Sequence, residues 1–306
     1  MKLYKDTYTK LKNSEAITLS IGNFDGVHKG HQALIEEVKS YKDTKSALLT
    51  FTPHPMKALR DVEFQEISTI DQKIKFLRET NIDMLFVVAF DKAFADLTVS
   101  EFINFLKGLN VKRLILGRDA RFARHASGSI KDLIPHFEVV IVEDIKRKSM
   151  RISTTYIKDL IYSGDITEAA KMLTRPYELE CKVLHGDKVG RTLNMPTANL
   201  SIGSYVLPKN GVYFVTVDYN GKTYGGALNI GYNPTINYKI SKRVEVHILD
   251  FDKDIYDEVL TLKFMKFLRP EYKFSSRETL MEQLELDKQV CRDLFMAYQN
   301  ELNKTL

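Results

Sequence analysis

Residues 21–31 read Ile-Gly-Asn-Phe-Asp-Gly-Val-His-Lys-Gly-His. An apolar run at 16–21 leads into this stretch and predicts a buried strand, and a helical pattern of apolar residues runs from 29 to 40. Gly22 and Gly26 lie between the two and indicate a tight turn. The stretch is therefore predicted to form a strand, a glycine-punctuated loop and the N-terminus of a helix.

This loop suits an anion, because the amide groups of a first helical turn have no helical partner and the helix dipole places partial positive charge there. His28 and His31 are three residues apart, so both imidazoles are expected beside one turn. Each could donate a hydrogen bond to a phosphate that gathers charge as it reacts. A histidine pair in an arbitrary context is more often structural, but the position directly after the strand and turn favours a phosphate site.

Short apolar runs recur along the first 175 residues, and helical patterns separate most of them. Such alternation predicts a parallel sheet covered on both faces, in which ligands bind beyond the carboxyl ends of the strands. We expect strands at 16–21, 47–51, 84–90, 114–116 and 139–142, and helices at about 30–40, 68–80 and 99–109.

From residue 176 onward the pattern changes to closely spaced strands joined by short turns, which predicts an antiparallel sheet or small barrel. A final helix is expected from 276 to 302, with Ser275 and Glu278 in capping positions. Because 306 residues suffice for two cores, we expect two domains, 1–175 and 176–306. The expected strands are 178–184, 211–218, 223–230, 243–251 and 258–264.

Composition is that of a soluble globular protein, with 44% hydrophobic and 28% charged residues. The net charge of +5 is spread out, and the densest basic stretch, 146–148 with Arg151, is predicted to be a solvated loop and not a nucleic-acid surface. No apolar run is long enough to span a bilayer, and residues 1–13 lack the apolar core of a signal peptide. We therefore expect a cytoplasmic protein without nucleic-acid or membrane partners; its oligomeric state cannot be read. Cys181 and Cys291 are predicted to be free thiols.

Residues 22–31 resemble the first motif of the FMN adenylyltransferase module in bacterial bifunctional riboflavin kinase/FAD synthetases, a branch of the His-x-Gly-His nucleotidyltransferases. A second segment, 51–55, is similar to the family's Phe-x-Pro-His-Pro motif. Without the resemblance, that segment would be interpreted as a rigid turn after a strand. The resemblance implies that it shapes the flavin side of the pocket through Phe51, Pro53, His54 and Pro55.

Two further motifs of this module are matched in part. Residues 117–123 resemble Gly-x-Asp-Phe-x-Phe-Gly, with Ala120 and Ala123 in place of phenylalanine and the closing glycine. Residues 152–158 are similar to Ile-Ser-Ser-Thr-x-Ile-Arg, with Lys158 in place of arginine, which keeps the charge but not the planar fork. The resemblance implies catalytic roles for His28 and His31, and nucleotide binding by Gly22, Asn23, Phe24, Asp25, Gly26, Asp119, Ser153, Thr154, Thr155 and Lys158.

Motifs similar to those of riboflavin kinase run through nearly the whole second half. Thr197 and Asn199 lie two apart in an extended segment, so their oxygens face one side and suit Mg²⁺ and ATP phosphates. By resemblance these are their roles, and Glu245 is the base that accepts the proton of the riboflavin hydroxyl. A flap over the phosphates is implied for Gly186, Lys188, Gly190 and Arg191. The matched segments are Gly186–Arg191, Pro196–Asn199, Gly211–Tyr213, Gly231–Thr235, Val244–Asp250 and Leu268–Pro270.

The chain is therefore interpreted as an α/β protein: a Rossmann-like parallel-sheet nucleotidyltransferase domain, then a small antiparallel β-barrel riboflavin kinase domain with a C-terminal helix. The resemblance implies that ATP phosphorylates riboflavin to FMN and that a second ATP adenylylates FMN to FAD with release of pyrophosphate, with Mg²⁺ as cofactor. Two alternatives stay open. One is a paralogue with a single active module, and the other is a flavin- or nucleotide-binding regulator without catalysis.

Overall fold

Two kinds of architecture follow one another along the chain. The computed structural model describes residues 1–59, 64–185, 196–233 and 241–305. The chain divides into two compact units, Met1–Tyr156 and Ile157–Leu306, called here the first and second units. The domain boundary expected near residue 175 stays a prediction.

The first unit has ten strands in its described residues, and five of them were predicted from the sequence. Six of them form one parallel sheet in the order β1-β4-β3-β2-β5-β8, and the remaining four make two short antiparallel hairpins. The strands are β1 (Lys2–Asp6), β2 (Ile17–Ile21), β3 (Lys45–Thr52), β4 (Met84–Ala89), β5 (Val111–Gly117), β6 (Arg121–Phe122), β7 (Gly128–Ser129), β8 (Glu138–Val142), β9 (Lys146–Arg147) and β10 (Met150–Arg151).

Helices cover both faces of this sheet, as the parallel topology requires. Strand β4 shows the consequence, because Met84, Phe86 and Val88 pack into one core and Leu85 and Val87 into the other. The predicted parallel sheet is confirmed. The helices of the unit are α1 (Lys29–Ser40), α2 (Pro55–Leu59), α3 (Ile70–Glu79), α4 (Lys92–Ala95), α5 (Val99–Gly108) and α6 (Ile130–Leu133).

The start of α3 differs from the prediction. Thr69 accepts a hydrogen bond from the Gln72 amide, and the Gln72 side chain accepts one from the Thr69 amide, so these two residues form the capping box. Ser68, which was expected near the helix start, instead contacts Asp25 through its amide and hydroxyl groups. The segment before α3 is thereby held against the glycine loop.

The second unit is built on a closed barrel of six antiparallel strands, and the predicted small antiparallel barrel is confirmed. Around the barrel the order is β11-β12-β15-β14-β13-β16. Helix α7 (Thr154–Ser163) crosses the boundary between the units, and α8 (Ile166–Leu173) follows it. The other elements are β11 (Tyr177–Leu184), β12 (Ala198–Ser201), β13 (Gly211–Tyr219), β14 (Lys222–Asn233), β15 (Ser241–Ile248), β16 (Val259–Arg269) and α9 (Arg277–Thr305).

Side chains alternate along β15 between the core and the opposite face of the strand. Val244, Val246 and Ile248 are buried apolar residues, and Glu245 and His247 lie between them. Helix α9 packs against β14, the neighbour of β15 in the barrel.

The cap of α9 is one residue later than predicted. The Thr279 amide donates to the Ser276 hydroxyl at 3.2 Å, so Ser276 and not Ser275 caps the helix.

Candidate active sites

The glycine loop between β2 and α1 is fixed by buried contacts of its own side chains. Phe24 has φ of 49° and is fully buried, and Gly26 has φ of 74°, a value that favours glycine. The Asp25 carboxylate accepts hydrogen bonds from the amides of Ile67 (3.0 Å) and Ser68 (2.9 Å). Asp25 therefore anchors the loop to the segment before α3, and its assignment to nucleotide binding stays a prediction.

The two histidines of the loop lie against each other. His28 is the N-cap of α1, where its Nδ1 accepts a hydrogen bond from the His31 amide at 3.4 Å. Their rings stack with centroids 3.7 Å apart and planes at 19°. Gly30 makes the arrangement possible, because a Cβ there would come within 3.1 Å of the His28 ring and 3.2 Å of the Ile152 carbonyl oxygen.

The protonation of the pair follows from these contacts. Because His28 Nδ1 accepts a hydrogen bond, the ring proton of the neutral form is assigned to Nε2, which lies 3.4 Å from the Thr154 hydroxyl. Burial, followed by the neighbouring His28 and Lys73, lowers the pKa of His31 well below 6.5. Among the described residues, His31 Nδ1 and Asn23 Oδ1 are buried without a hydrogen-bond partner. His31 is thus a neutral imidazole at pH 7.

The Ser-Thr-Thr motif meets this histidine pair at the start of α7. The Ser153 hydroxyl accepts a hydrogen bond from the Tyr156 amide at 3.2 Å, and Thr154 lies beside His28. Thr155 is exposed in the first turn of the helix. Lys158 belongs to the same helix but falls in the second unit.

Arg151 takes a part in the first unit that the sequence did not predict. Its guanidinium donates to both oxygens of Asp119, at 2.7 and 3.1 Å, and contacts Asp144 at 3.0 Å. The hydrogen bond from Arg151 lowers the pKa of Asp119. The Arg151 side chain is 46% exposed, in keeping with the expected solvated stretch, but its ion pairs were not predicted. Arg151 stands directly before Ile152 and Ser153. Its position beside the Ser-Thr-Thr motif was the sequence signal that could have identified it.

The loop after β5 keeps a glycine-like backbone although Ala123 replaces the family's closing glycine. Ala123 has φ of 61° and ψ of −177°, a region that is essentially restricted to glycine. Phe122 stacks on Phe102 with centroids 4.8 Å apart, and Ala120 and Ala123 pack against the same core. The loop is held in place by this packing despite the strained alanine.

Replacing this alanine should relieve the strain. Ala123→Gly is expected to stabilise the first unit by about 1 kcal/mol, because relief of a strain on the order of 1–3 kcal/mol outweighs the conformational entropy that glycine adds to the unfolded chain. Denaturant unfolding would measure the change. Ala120→Gly, at a neighbouring position without positive φ, is the control and should not stabilise.

The segment 51–55 leaves the sheet at the end of β3, the strand beside β2. Phe51 packs edge-on against Phe90, with ring centroids 5.5 Å apart. His54 stacks on Phe64 at 4.2 Å, and its Nδ1 accepts a hydrogen bond from the Met56 amide. Pro53 follows a cis peptide bond, and Pro55 begins α2. The four predicted flavin-side residues thus lie on one short exit segment.

Glu245 lies at the centre of the site in the second unit. In the barrel its strand pairs with β12, where Asn199 is opposite Glu245, and with β14, where Asn229 is opposite. The Thr197 hydroxyl donates to Glu245 Oε1 at 3.3 Å. The fold therefore brings together Thr197, Asn199 and Glu245. In the sequence, Glu245 is 48 positions from Thr197 and 46 positions from Asn199. The predicted flap residues Gly186, Lys188, Gly190 and Arg191 lie outside the described residues.

Arg243 joins this group and was missed in the sequence. Its Nη2 lies 2.7 Å from Glu245 Oε1, and its Nε donates to Asn199 Oδ1 at 3.0 Å. Arg243 precedes Glu245 by two residues, so the period of a strand places both side chains on one face. That spacing was the signal that could have found it.

A cavity of about 280 Å³ opens beside Glu245. One of its walls is braced by an ion pair, in which Arg269 Nε and Nη2 donate to the Asp287 carboxylate at 3.0 and 2.6 Å. The Arg269 guanidinium also lies 4.7 Å from the centre of the Tyr272 ring. The lining residues are Thr197, Val212, Ala227, Asn229, Arg243, Glu245, Arg269, Glu271, Tyr272, Phe274, Leu280, Leu284 and Asp287.

Comparison with known proteins identifies the family. Residues 10–156 match the family model for FAD synthetase, and residues 173–295 match that for riboflavin kinase. The chain belongs to the bifunctional riboflavin kinase/FMN adenylyltransferase family. A protein of that description from Listeria monocytogenes is 38% identical over 288 residues, which cover 90% of this chain and 92% of the relative. The one from Bacillus subtilis is 36% identical over 284 residues, 89% of this chain and 90% of the relative.

A solved structure shares the whole fold. The crystal structure described as a macrolide-efflux protein from Streptococcus pneumoniae aligns with a TM-score of 0.86 and 31% identity, covering 95% of this chain and 99% of that one. In the described parts of the present chain, no helix is both long and apolar enough to cross a membrane. The family membership, the enzyme class and the two activities predicted from the sequence are confirmed by the family models and the relatives.

Oxygen atoms dominate the part of the kinase site where a cation was predicted. Thr197 and Asn199 offer neutral oxygens beside the Glu245 carboxylate, and such hard donors suit Mg²⁺, which usually completes its shell with water and phosphate. No group of three or more His, Cys, Asp or Glu among the described residues could hold a metal by itself. These oxygen donors fit a cation that a nucleotide helps to hold, and in this structure Asn199 Oδ1 accepts a hydrogen bond from Arg243.

Proposed function

We propose that each unit carries one of the two family reactions, with the residues predicted from the sequence in the named roles. The second unit phosphorylates riboflavin to FMN with ATP, and the first unit joins FMN to the adenylyl group of a second ATP, forming FAD and pyrophosphate. The observation that supports this division is the presence of two separate phosphate-type sites. One has Glu245 beside Thr197 and Asn199, and the other has the stacked histidines at the start of α1.

In the kinase step the riboflavin hydroxyl oxygen attacks the γ-phosphorus of ATP, ADP leaves, and the hydroxyl proton passes to the Glu245 carboxylate. Thr197 and Asn199 would hold Mg²⁺ and the ATP phosphates; when bound, the cation neutralises phosphate charge. Arg243, paired with Glu245 and Asn199, keeps a positive charge where phosphate must arrive. The apolar and aromatic wall of the cavity, including Phe274, Leu280 and Leu284, suits the flavin ring.

In the adenylyl step an FMN phosphate oxygen attacks the α-phosphorus of ATP and pyrophosphate leaves, so no protein nucleophile is needed. His31 and His28 donate hydrogen bonds to the charge that develops, together with the first-turn amides of α1. Ser153 and Thr154 bind phosphates, and Phe51, Pro53, His54 and Pro55 line the flavin side. Arg151 adds a planar cation beside the Ser-Thr-Thr motif, where it pairs with Asp119.

The experiment that tests this proposal incubates the purified protein with Mg²⁺ and ATP in two separate reactions, one with riboflavin and one with FMN. The flavins in each reaction are then resolved by chromatography. We expect FMN from riboflavin and FAD from FMN. If only one product forms, the chain is a monofunctional paralogue. If flavin is retained but not converted, it is the non-catalytic regulator. The cytoplasmic location and the absence of nucleic-acid and membrane partners stay predictions.

The Mg²⁺ assignment predicts a specific defect. Asn199→Leu removes one oxygen ligand, so the Mg²⁺ concentration for half-maximal FMN formation should rise at least about tenfold. Mg²⁺ titration at fixed ATP would measure it. Asn300→Leu, on the exposed face of α9, is the matched control. An unchanged titration curve for the Asn199 variant would contradict its role as a ligand.

A further inference from the structure

His247 belongs to the Val244–Asp250 motif but has no role in either of the two proposed reactions. It lies two residues after Glu245, and a strand's period of two directs both side chains to the same face of β15. The residue is only 7% exposed. Its Nδ1 lies 2.9 Å from the carbonyl oxygen of Pro196, the residue before Thr197. Because a carbonyl can only accept, Nδ1 is the donor.

The strand register explains what this hydrogen bond does. The ladder between β12 and β15 pairs Asn199 with Glu245 and Ala198 with Val246. One more step would set Thr197 opposite His247, but β12 begins at Ala198, and the ladder ends there. Beyond the end of the ladder, the His247 ring hydrogen-bonds to the carbonyl of Pro196, the residue before Thr197. This side-chain hydrogen bond takes the place of the main-chain pairing that stops at Ala198. Thr197 is thus fixed on both sides although it lies outside the strand.

Charged side chains of α9 lie near enough to His247 to influence it. Three charged side chains of that helix, Glu285, Lys288 and Arg292, act electrostatically on His247, and burial is the main cause that lowers its pKa. The same helix supplies Leu284 and Asp287 to the cavity wall. A hydrogen bond therefore links His247 to the segment that leads into Thr197, and electrostatic interactions link it to the helix that supplies part of the cavity wall.

We propose that His247 is a positioning residue of the kinase site. Its Nδ1–H fixes the Pro196 carbonyl, and this holds the Thr197 hydroxyl within reach of Glu245 and keeps Thr197 in line with Asn199. The inference rests on the proposed kinase function of the second unit. It assigns to His247 the placement of the ATP-binding segment, without contact with the reacting atoms.

Two substitutions separate the hydrogen bond from the volume of the ring. His247→Asn keeps an N–H donor close to the Nδ1 position, and His247→Phe keeps the ring shape but has no donor. We expect His247→Phe to lower kcat/KM for ATP in FMN formation by about 10- to 100-fold, as expected for a misplaced binding group. His247→Asn should recover most of the loss. The KM for riboflavin should stay within about twofold of the original, because the flavin wall is untouched.

A double-mutant cycle with Thr197→Val tests whether the effect passes through Thr197. In that background His247→Phe should have little further effect on kcat/KM for ATP. FAD formation from FMN, measured on the same preparations, reports whether each variant is folded in its first unit, and the melting temperature reports on the second. The proposal would be overturned if His247→Asn and His247→Phe lowered kcat/KM for ATP equally. It would also be overturned if the effects of His247→Phe and Thr197→Val on kcat/KM were fully additive. An original chain that forms no FMN would contradict the proposed kinase function instead.

Discussion

Glu245→Gln should lower FMN formation from riboflavin by about 10² to 10⁴, the usual contribution of a general base. The amide keeps the size of the carboxylate and can still accept the hydrogen bond from Thr197, which is 3.3 Å long in the original chain. It cannot accept a proton, and it leaves Arg243 without its 2.7 Å ion-pair partner. The loss should therefore appear in kcat, measured by steady-state assay of FMN.

The matched control is Glu271→Gln. Glu271 lines the same cavity, where its carboxylate accepts hydrogen bonds from Asn210 and Asn229 at 3.4 Å, and the proposal gives it no part in proton transfer. Its substitution should change the rate by a small factor only. FAD formation from supplied FMN should be unaffected in both variants. If Glu245→Gln abolished FMN and FAD formation together, the assignment of one reaction to each unit would be wrong.

The fold could be predicted where local pattern and burial agree. The buried strands of the parallel sheet were predicted because their apolar runs are packed on both faces, as in β4. Strand β1 was missed, because it is a largely exposed edge strand with two lysines, and its place beside β4 depends on long-range pairing. Strand β12 was recognised only as an extended segment for a similar reason: it has four residues and one buried apolar side chain.

Residues of the candidate sites were predicted from the sequence where they belong to a matched motif. Thr197, Asn199 and Glu245 were identified, and the barrel brings them together. Arg243 and Arg151 were not, because their importance comes from partners that lie far away in the sequence. Arg243 contacts Asn199, 44 positions away, and Arg151 contacts Asp119, 32 positions away. The position of each arginine beside a motif could have marked it as a candidate, but the partner that each one contacts is fixed by the fold.

His31→Ala should lower FAD formation from FMN by about 10² to 10³, the cost of one lost transition-state donor. His31 is the more informative of the two histidines, because His28 also caps α1 through Nδ1 and its loss would disturb the helix start. In the His31 variant the backbone amide that His28 accepts from is retained. Chromatography of FAD formed from FMN and ATP would measure the change.

Two controls make the His31 result specific. FMN formation from riboflavin should be unchanged, since Glu245 and its partners belong to the second unit. His136→Ala, at an exposed histidine in the first unit, should leave both activities intact. A His31 variant with normal FAD formation would remove this residue from the reaction and leave the amides of α1 as the main phosphate donors.

The lowered pKa of His31 adds a readout that does not depend on activity. Burial keeps the folded residue neutral below pH 6.5, whereas in the unfolded chain the same imidazole takes up a proton. The unfolded state then binds more protons, so the free energy of unfolding should fall as the pH drops below about 6.5 and recover above it. His31→Ala should flatten this slope in denaturant titrations at pH 5.5 and 7.5. An unchanged slope in the His31 variant would mean that the imidazole is protonated equally in both states, and the neutral donor assigned to it would be wrong.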